Sequence, residues 1–100
     1  MPQLTKHAIS RMKERCGISK TNAPKIARRA YAKGITHNQT TGNIHKFLDS
    51  IYLSQKKGTD MRIYGDAVYV FNKRDDILIT VIKVPADLMD ELRAIKQSIN

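Results

Sequence analysis

The chain carries a single cysteine, Cys16, in 100 residues. One cysteine excludes an internal disulfide and any cysteine-rich zinc site, and it suits a reducing compartment, so a cytoplasmic protein is expected. No apolar run approaches the roughly 20 residues needed to cross a bilayer. The opening Met1-Pro2-Gln3 lacks the basic-then-apolar start of a secretion signal. No membrane partner is expected. Three prolines and five glycines are spread without forming a linker, a repeat or a low-complexity tract, so one domain accounts for the length. The glycine patterns of phosphate loops, dinucleotide sites and nucleophile elbows are missing, and no cofactor is expected.

Acidic side chains are scarce. Nine Asp and Glu face eighteen Lys and Arg, a net charge of +9. Residues 1–50 hold ten basic and two acidic side chains, a net of +8, whereas residues 51–100 come to only +1. Such asymmetry implies one positive face and a polyanionic partner. Nucleic acid is favoured over a membrane surface, because no segment joins a bulky apolar face to a basic one. With 41% hydrophobic residues the chain has the apolar material to fold.

Periodicity predicts three helices, then three strands, then a helix. Thr5 is placed to cap a first helix ending at Gly17, with Ala8, Met12 and Cys16 on its apolar ridge and Ile9 beside them. A second helix starts near Thr21 or Asn22, tolerates Pro24 in its first turn and stops at Gly34, with Ile26, Ala27, Ala30 and Tyr31 as its stripe. Residues 35–42 read as a polar loop. Asn43 is the expected cap of a third helix, in which Ile44, Phe47, Leu48, Ile51 and Tyr52 recur at helical spacing up to Gly58. Residues 61–64, 67–72 and 77–84 are rich in β-branched and aromatic residues and predict a three-stranded antiparallel meander. A last helix begins near Asp87, with Leu88, Leu92, Ile95 and Ile99 on its apolar side. The expected class is α+β, with the C-terminal helix packed on the sheet.

The first helix holds the candidate chemistry. His7, Arg11 and Arg15 recur every four residues and form one ridge outside the apolar stripe. Arginine forks match phosphate oxygens, and His7 is the candidate general base. The bland alternative pairs Arg11 and Arg15 with acids of the last helix. Lys25, Arg28 and Arg29 on the second helix would extend a phosphate-tracking face, so reversing them should weaken nucleic-acid binding more than reversing Lys56, Lys57 and Lys96. On the sheet, Arg62, Tyr64 and Thr80 are candidate substrate contacts; Thr80 interrupts an apolar run, while Tyr69 shares a face with Ala67 and Phe71 and reads as core. His37 and His45 stand eight apart, which matches no metal-site spacing, so no metal is expected. Asp75-Asp76 reads as a solvated turn.

The stretch Thr5-Lys6-His7-Ala8-Ile9-Ser10-Arg11-Met12-Lys13-Glu14-Arg15-Cys16-Gly17-Ile18-Ser19 resembles the "HAxxRmxxRgi" opening of small RelE-like domains of phages, mobile elements and bacterial toxin systems. The hairpin residues 67–71 and 78–84 are similar to the "vyvF…LITV" segment that follows in that group. The resemblance implies a barnase–RelE-type fold, RNA as the nucleic acid and, for part of that assemblage, metal-independent endoribonuclease activity centred on His7, Arg11 and Arg15. The toxins' basic and aromatic residues near the C-terminus have no counterpart in the last helix. The alternative is therefore a non-catalytic phage or mobile-element regulator that binds nucleic acid, or an acidic antitoxin-like or target protein.

Overall fold

The computed structural model describes residues 3–55 and 58–99, so Met1, Pro2, Lys56, Lys57 and Asn100 lie outside the described residues. In chain order the elements are α1 (Lys6–Cys16), α2 (Ala23–Lys33), β1 (Ile35–Thr36), a 3-10 turn (His37–Gln39), α3 (Gly42–Ser54), β2 (Thr59–Tyr64), β3 (Ala67–Asn72), β4 (Leu78–Lys83), a second 3-10 turn (Ala86–Leu88) and α4 (Met89–Ile99). The strands form one antiparallel sheet in the order β1-β2-β3-β4. The class is α+β as expected, but the sheet has four strands and not three. The extra strand lies in the expected loop: Ile35 pairs with Ile63 and Thr36 with Arg62. Gly34 permits it, because a Cβ there would lie 2.5 Å from the Ala30 carbonyl oxygen and 2.8 Å from Arg62 Cβ.

The helices cover both faces of the sheet. On one face Ala8 and Met12 of α1 and Ala23, Ala27 and Ala30 of α2 pack against Ala67, Tyr69, Phe71, Leu78 and Val81. On the other, Ile44, Leu48 and Ile51 of α3 and Leu92 and Ile95 of α4 pack against Met61, Ile63, Val68, Val70 and Val84. The first five residues of β3 are therefore buried on both sides. Two apolar faces demand an apolar residue at every position of a central strand, which is why 67–71 shows no polar alternation.

The boundaries have local causes. The Thr5 hydroxyl accepts from Ala8 N at 3.0 Å, and Gly17 closes α1 in the left-handed region at φ 66°. Asn43 does not cap α3; the helix starts at Gly42 behind Thr41, and the Glu91 carboxylate of α4 accepts from Ile44 N at 2.6 Å. A carboxylate from another helix thus satisfies one of the unpaired N–H groups at this terminus. β4 begins at Leu78 rather than 77 and carries a bulge: Val70 pairs with Thr80 but Phe71 with Leu78, leaving Ile79 as the extra residue. Residues 86–88 form a 3-10 turn before α4 takes over at Met89. No helix among the described residues is long and apolar enough to cross a membrane.

Candidate nucleic-acid interface

The Thr5 cap sets the phase of α1. With Ala8 and Met12 fully buried, His7 and Arg15 emerge exposed and Arg11 half-buried on the outer side. The ridge is held by its own helix and by the sheet, not by acids of α4. Arg11 Nη1 donates to Glu14 Oε2 at 2.8 Å, and its Nε donates to His7 Nε2 at 3.3 Å. Hydrogen bonds from Arg11 and then Ser10 hold the Glu14 carboxyl below the ordinary glutamate value. Arg15 Nη1 donates to the Val81 carbonyl at 2.8 Å, which ties α1 to β4. His7 Nε2 must present a lone pair to receive the Arg11 N–H. The ridge thus sets an imidazole, engaged at Nε2 by Arg11, beside two guanidinium groups, each with further donors.

Lys25, Arg28 and Arg29 are exposed on α2, on the same side of the sheet. Lys25 and Arg29 line a cavity of about 380 Å³ at the α1–α2 corner, with Ile18, Ser19, Asn22 and Ile26. Residues 6–33, the whole α1–α2 layer, carry nine Lys and Arg against one acid, Glu14. The opposite layer, α3 together with residues 86–99, carries three bases (Lys46, Arg93, Lys96) and four acids (Asp49, Asp87, Asp90, Glu91). The lopsided chain becomes a lopsided body because both N-terminal helices lie on one face: +8 there, −1 opposite.

The sheet candidates do not join this surface in the same way. Arg62 reaches toward α2 but is engaged inside the fold: Nε and Nη2 grip the Asp60 carboxylate at 2.9 Å each, Nη1 donates to the Tyr31 carbonyl at 2.6 Å, and the guanidinium lies 4.8 Å over the Tyr31 ring. The Asp60 bond chiefly raises its already high pKa. Its fork fastens β2 to α2. Tyr64 is half-buried against the α1–α2 core, its ring 6.5 Å from that of Tyr69. Tyr69 is core, and burial pushes its phenol well up. Thr80 is 8% exposed and pairs with Val70, whose side chain belongs to the α3–α4 core, so it faces away from the α1 ridge.

The structure brings together three residues whose sequence spacing gave no metal or site assignment. His37 Nε2 lies 2.7 Å from Asp49 Oδ1, and His45 Nε2 lies 3.5 Å from the same oxygen. The two imidazole centroids are 4.8 Å apart. The buried Thr40 hydroxyl sits 2.6 Å from the His37 carbonyl oxygen and 3.0 Å from His45 Nδ1. The one sequence signal is His45 and Asp49, four apart on α3 and hence on one side of it. His37 joins them because the capped turn Thr36–Gln39 folds back, with Thr36 N donating to Gln39 Oε1 at 2.9 Å. No family model, no curated protein and no solved structure matches the chain.

Proposed function

We propose that the protein is an RNA-binding domain that docks its ligand across the outer surface of α1 and α2. The observation that carries this reading is the segregation of charge by layer, nine bases to one acid on α1–α2 and three to four on the other side. Such a field concentrates a polyanion on one face. Arg11, Arg15, Lys25, Arg28 and Arg29 supply the phosphate contacts, and the corner cavity between Lys25 and Arg29 gives that face a concave point. The resemblance of Thr5–Ser19 to the opening of RelE-like domains favours RNA among polyanions, and with it a cytoplasmic location.

The test is a salt titration of single-stranded RNA binding. Reversing Lys25, Arg28 and Arg29 to Glu should flatten the plot of log K against log salt by about 0.7 for each phosphate no longer neutralised. Reversing Lys46, Arg93 and Lys96 on the far layer should leave the slope unchanged. Equal losses from the two triple variants would overturn the reading. Failure to bind RNA, together with retention on an acidic protein surface, would favour the antitoxin-like or target-protein partner.

A second reading, metal-independent cleavage of the bound RNA, is favoured by one observation: α1 holds the His7 imidazole 3.3 Å from Arg11 Nε on the ridge that also carries Arg15. In that reaction Arg11 turns from His7 to the phosphate, and His7 takes the 2′-hydroxyl proton as the 2′-oxygen bonds to phosphorus. The P–O5′ bond breaks with water protonating the 5′-oxygen, and Arg11 and Arg15 offset the charge growing on the phosphorane. His7→Ala then abolishes cleavage in chelator and leaves affinity nearly intact, whereas Arg11→Ala lowers both. Wild-type cleavage by His7→Ala would remove the base assignment.

A further inference from the structure

We propose that His37, His45 and Asp49 form a binding site for a divalent transition-metal ion of the zinc class, on the opposite side of the sheet from the basic face. One ligand atom from each residue lies within 4.8 Å of the other two. A tetrahedral zinc site with bonds of about 2.0–2.2 Å has its ligand atoms about 3.4 Å apart. The two measured edges, 2.7 Å from His37 to Asp49 and 3.5 Å from His45 to Asp49, bracket that value.

The hydrogen bonds around Thr40 point the same way. A carbonyl oxygen only accepts, so the Thr40 hydroxyl donates its one proton to the His37 carbonyl. The same oxygen can then only accept from His45, which fixes the His45 proton on Nδ1. That leaves the other ring nitrogen, Nε2, facing the Asp49 carboxylate at 3.5 Å. A ligating histidine whose other nitrogen is held by a polar partner is the usual arrangement around a protein-bound metal. Here Thr40, 4% exposed, is that partner.

Two imidazoles and one carboxylate select zinc, nickel or cobalt over magnesium and calcium, which require oxygen ligands. The ion can enter from solvent, since the side chains of His45 and Asp49 are 40% and 48% exposed. Three protein ligands leave a position for water or another small ligand, as in reactive rather than purely structural sites. His37 also lines a cavity of about 330 Å³ with Thr36, Asn38, Thr59, Asp60 and Lys73, so there is room beside it for such a ligand.

The experiment is calorimetric titration of ZnCl2 into the full chain, purified without a histidine tag and stripped with chelator. The expected result is one equivalent bound, with a rise in Tm that MgCl2 does not reproduce. His37→Gln and His45→Gln should each weaken binding at least tenfold, Thr40→Val about tenfold to hundredfold through the lost orientation of His45, and His7→Gln not at all. Asp49→Asn keeps the shape of the carboxylate and tests the third ligand if a histidine variant melts early in the absence of metal. Absence of a one-equivalent site, an equal response to MgCl2, or a loss in His7→Gln matching that in His45→Gln would overturn the proposal and leave the three residues as an ion-paired cluster.

Discussion

The two helical layers pack on one sheet by opposite means. Toward α1 and α2 the sheet sends large side chains, Tyr69, Phe71, Leu78 and Val81, and the helices receive them with Ala8, Ala23, Ala27 and Ala30, Met12 being the one large side chain they bury fully. Toward α3 and α4 the helices supply the bulk, with Ile44, Leu48, Ile51, Leu92 and Ile95. Alanine fills four of the five buried positions of these two helices. Their remaining positions are then available for lysine and arginine. The other pair buries these five aliphatics while leaving Tyr52, Leu53 and Ile99 exposed, and is joined by polar links such as Glu91 to the start of α3. The division of labour lies between faces, not between ends of the chain.

This contrast can be broken by size. Leu48→Ala, which opens a cavity on the aliphatic side, should cost about 2–5 kcal/mol, read from urea unfolding. Ala27→Leu overfills the alanine side and should cost about 1–3 kcal/mol, with RNA affinity reduced if α2 is displaced. A smaller effect is expected at the seam between α1 and β4, where Arg15→Ala removes the bond to the Val81 carbonyl and should cost about 0.5–1.5 kcal/mol in the same unfolding measurement. Arg15→Lys should restore part of that stability and little of the binding, since the fork is gone.

The smallest effect concerns pH. The hydrogen bond from Lys83 chiefly holds the Asp66 carboxyl below its ordinary value of 3.8. A depressed folded-state pKa contributes stability that is present above the unfolded value and lost as pH falls through the folded one. The pair is exposed, so Asp66→Asn should change stability by less than about 1 kcal/mol at neutral pH. It should also flatten the acid limb of the curve below about pH 4, as followed by thermal melts.

What the sequence can tell depends on whether a signal is local. The Thr5 cap, Gly17, Pro24 and Gly34 are local instructions, and α1 and α2 follow them. The run 67–72 is bounded by turns and matches β3 residue for residue. A strand of two residues has no alternation to read, and Ile35–Thr36 exists only because Gly34 lets the chain come close to β2. The start of α3 differs from the expected Asn43 cap because its partner, Glu91, is 47 residues away. The charge surplus of the first half is plain along the chain, but its placement on one face required both helices to choose the same side of the sheet. Arg62 reads as an available cation, since nothing along the chain shows the Tyr31 carbonyl waiting for it. The histidine cluster is hidden for the same reason, its third member arriving by way of a turn.

The bonds that seat α1 have a consequence for how a growing chain acquires this structure. Gln3 accepts from Leu78 N, Thr5 donates to the carbonyl oxygens of Leu78 and Ile79, and Arg15 reaches Val81. The first helix to leave a ribosome therefore waits for the last strand. Until Val81 has emerged, Ala8 and Met12 lack the floor that covers them, and long-range closures of this kind slow folding. A nascent chain halted before β4 would hold its two basic helices, unanchored, beside the phosphates of ribosomal RNA.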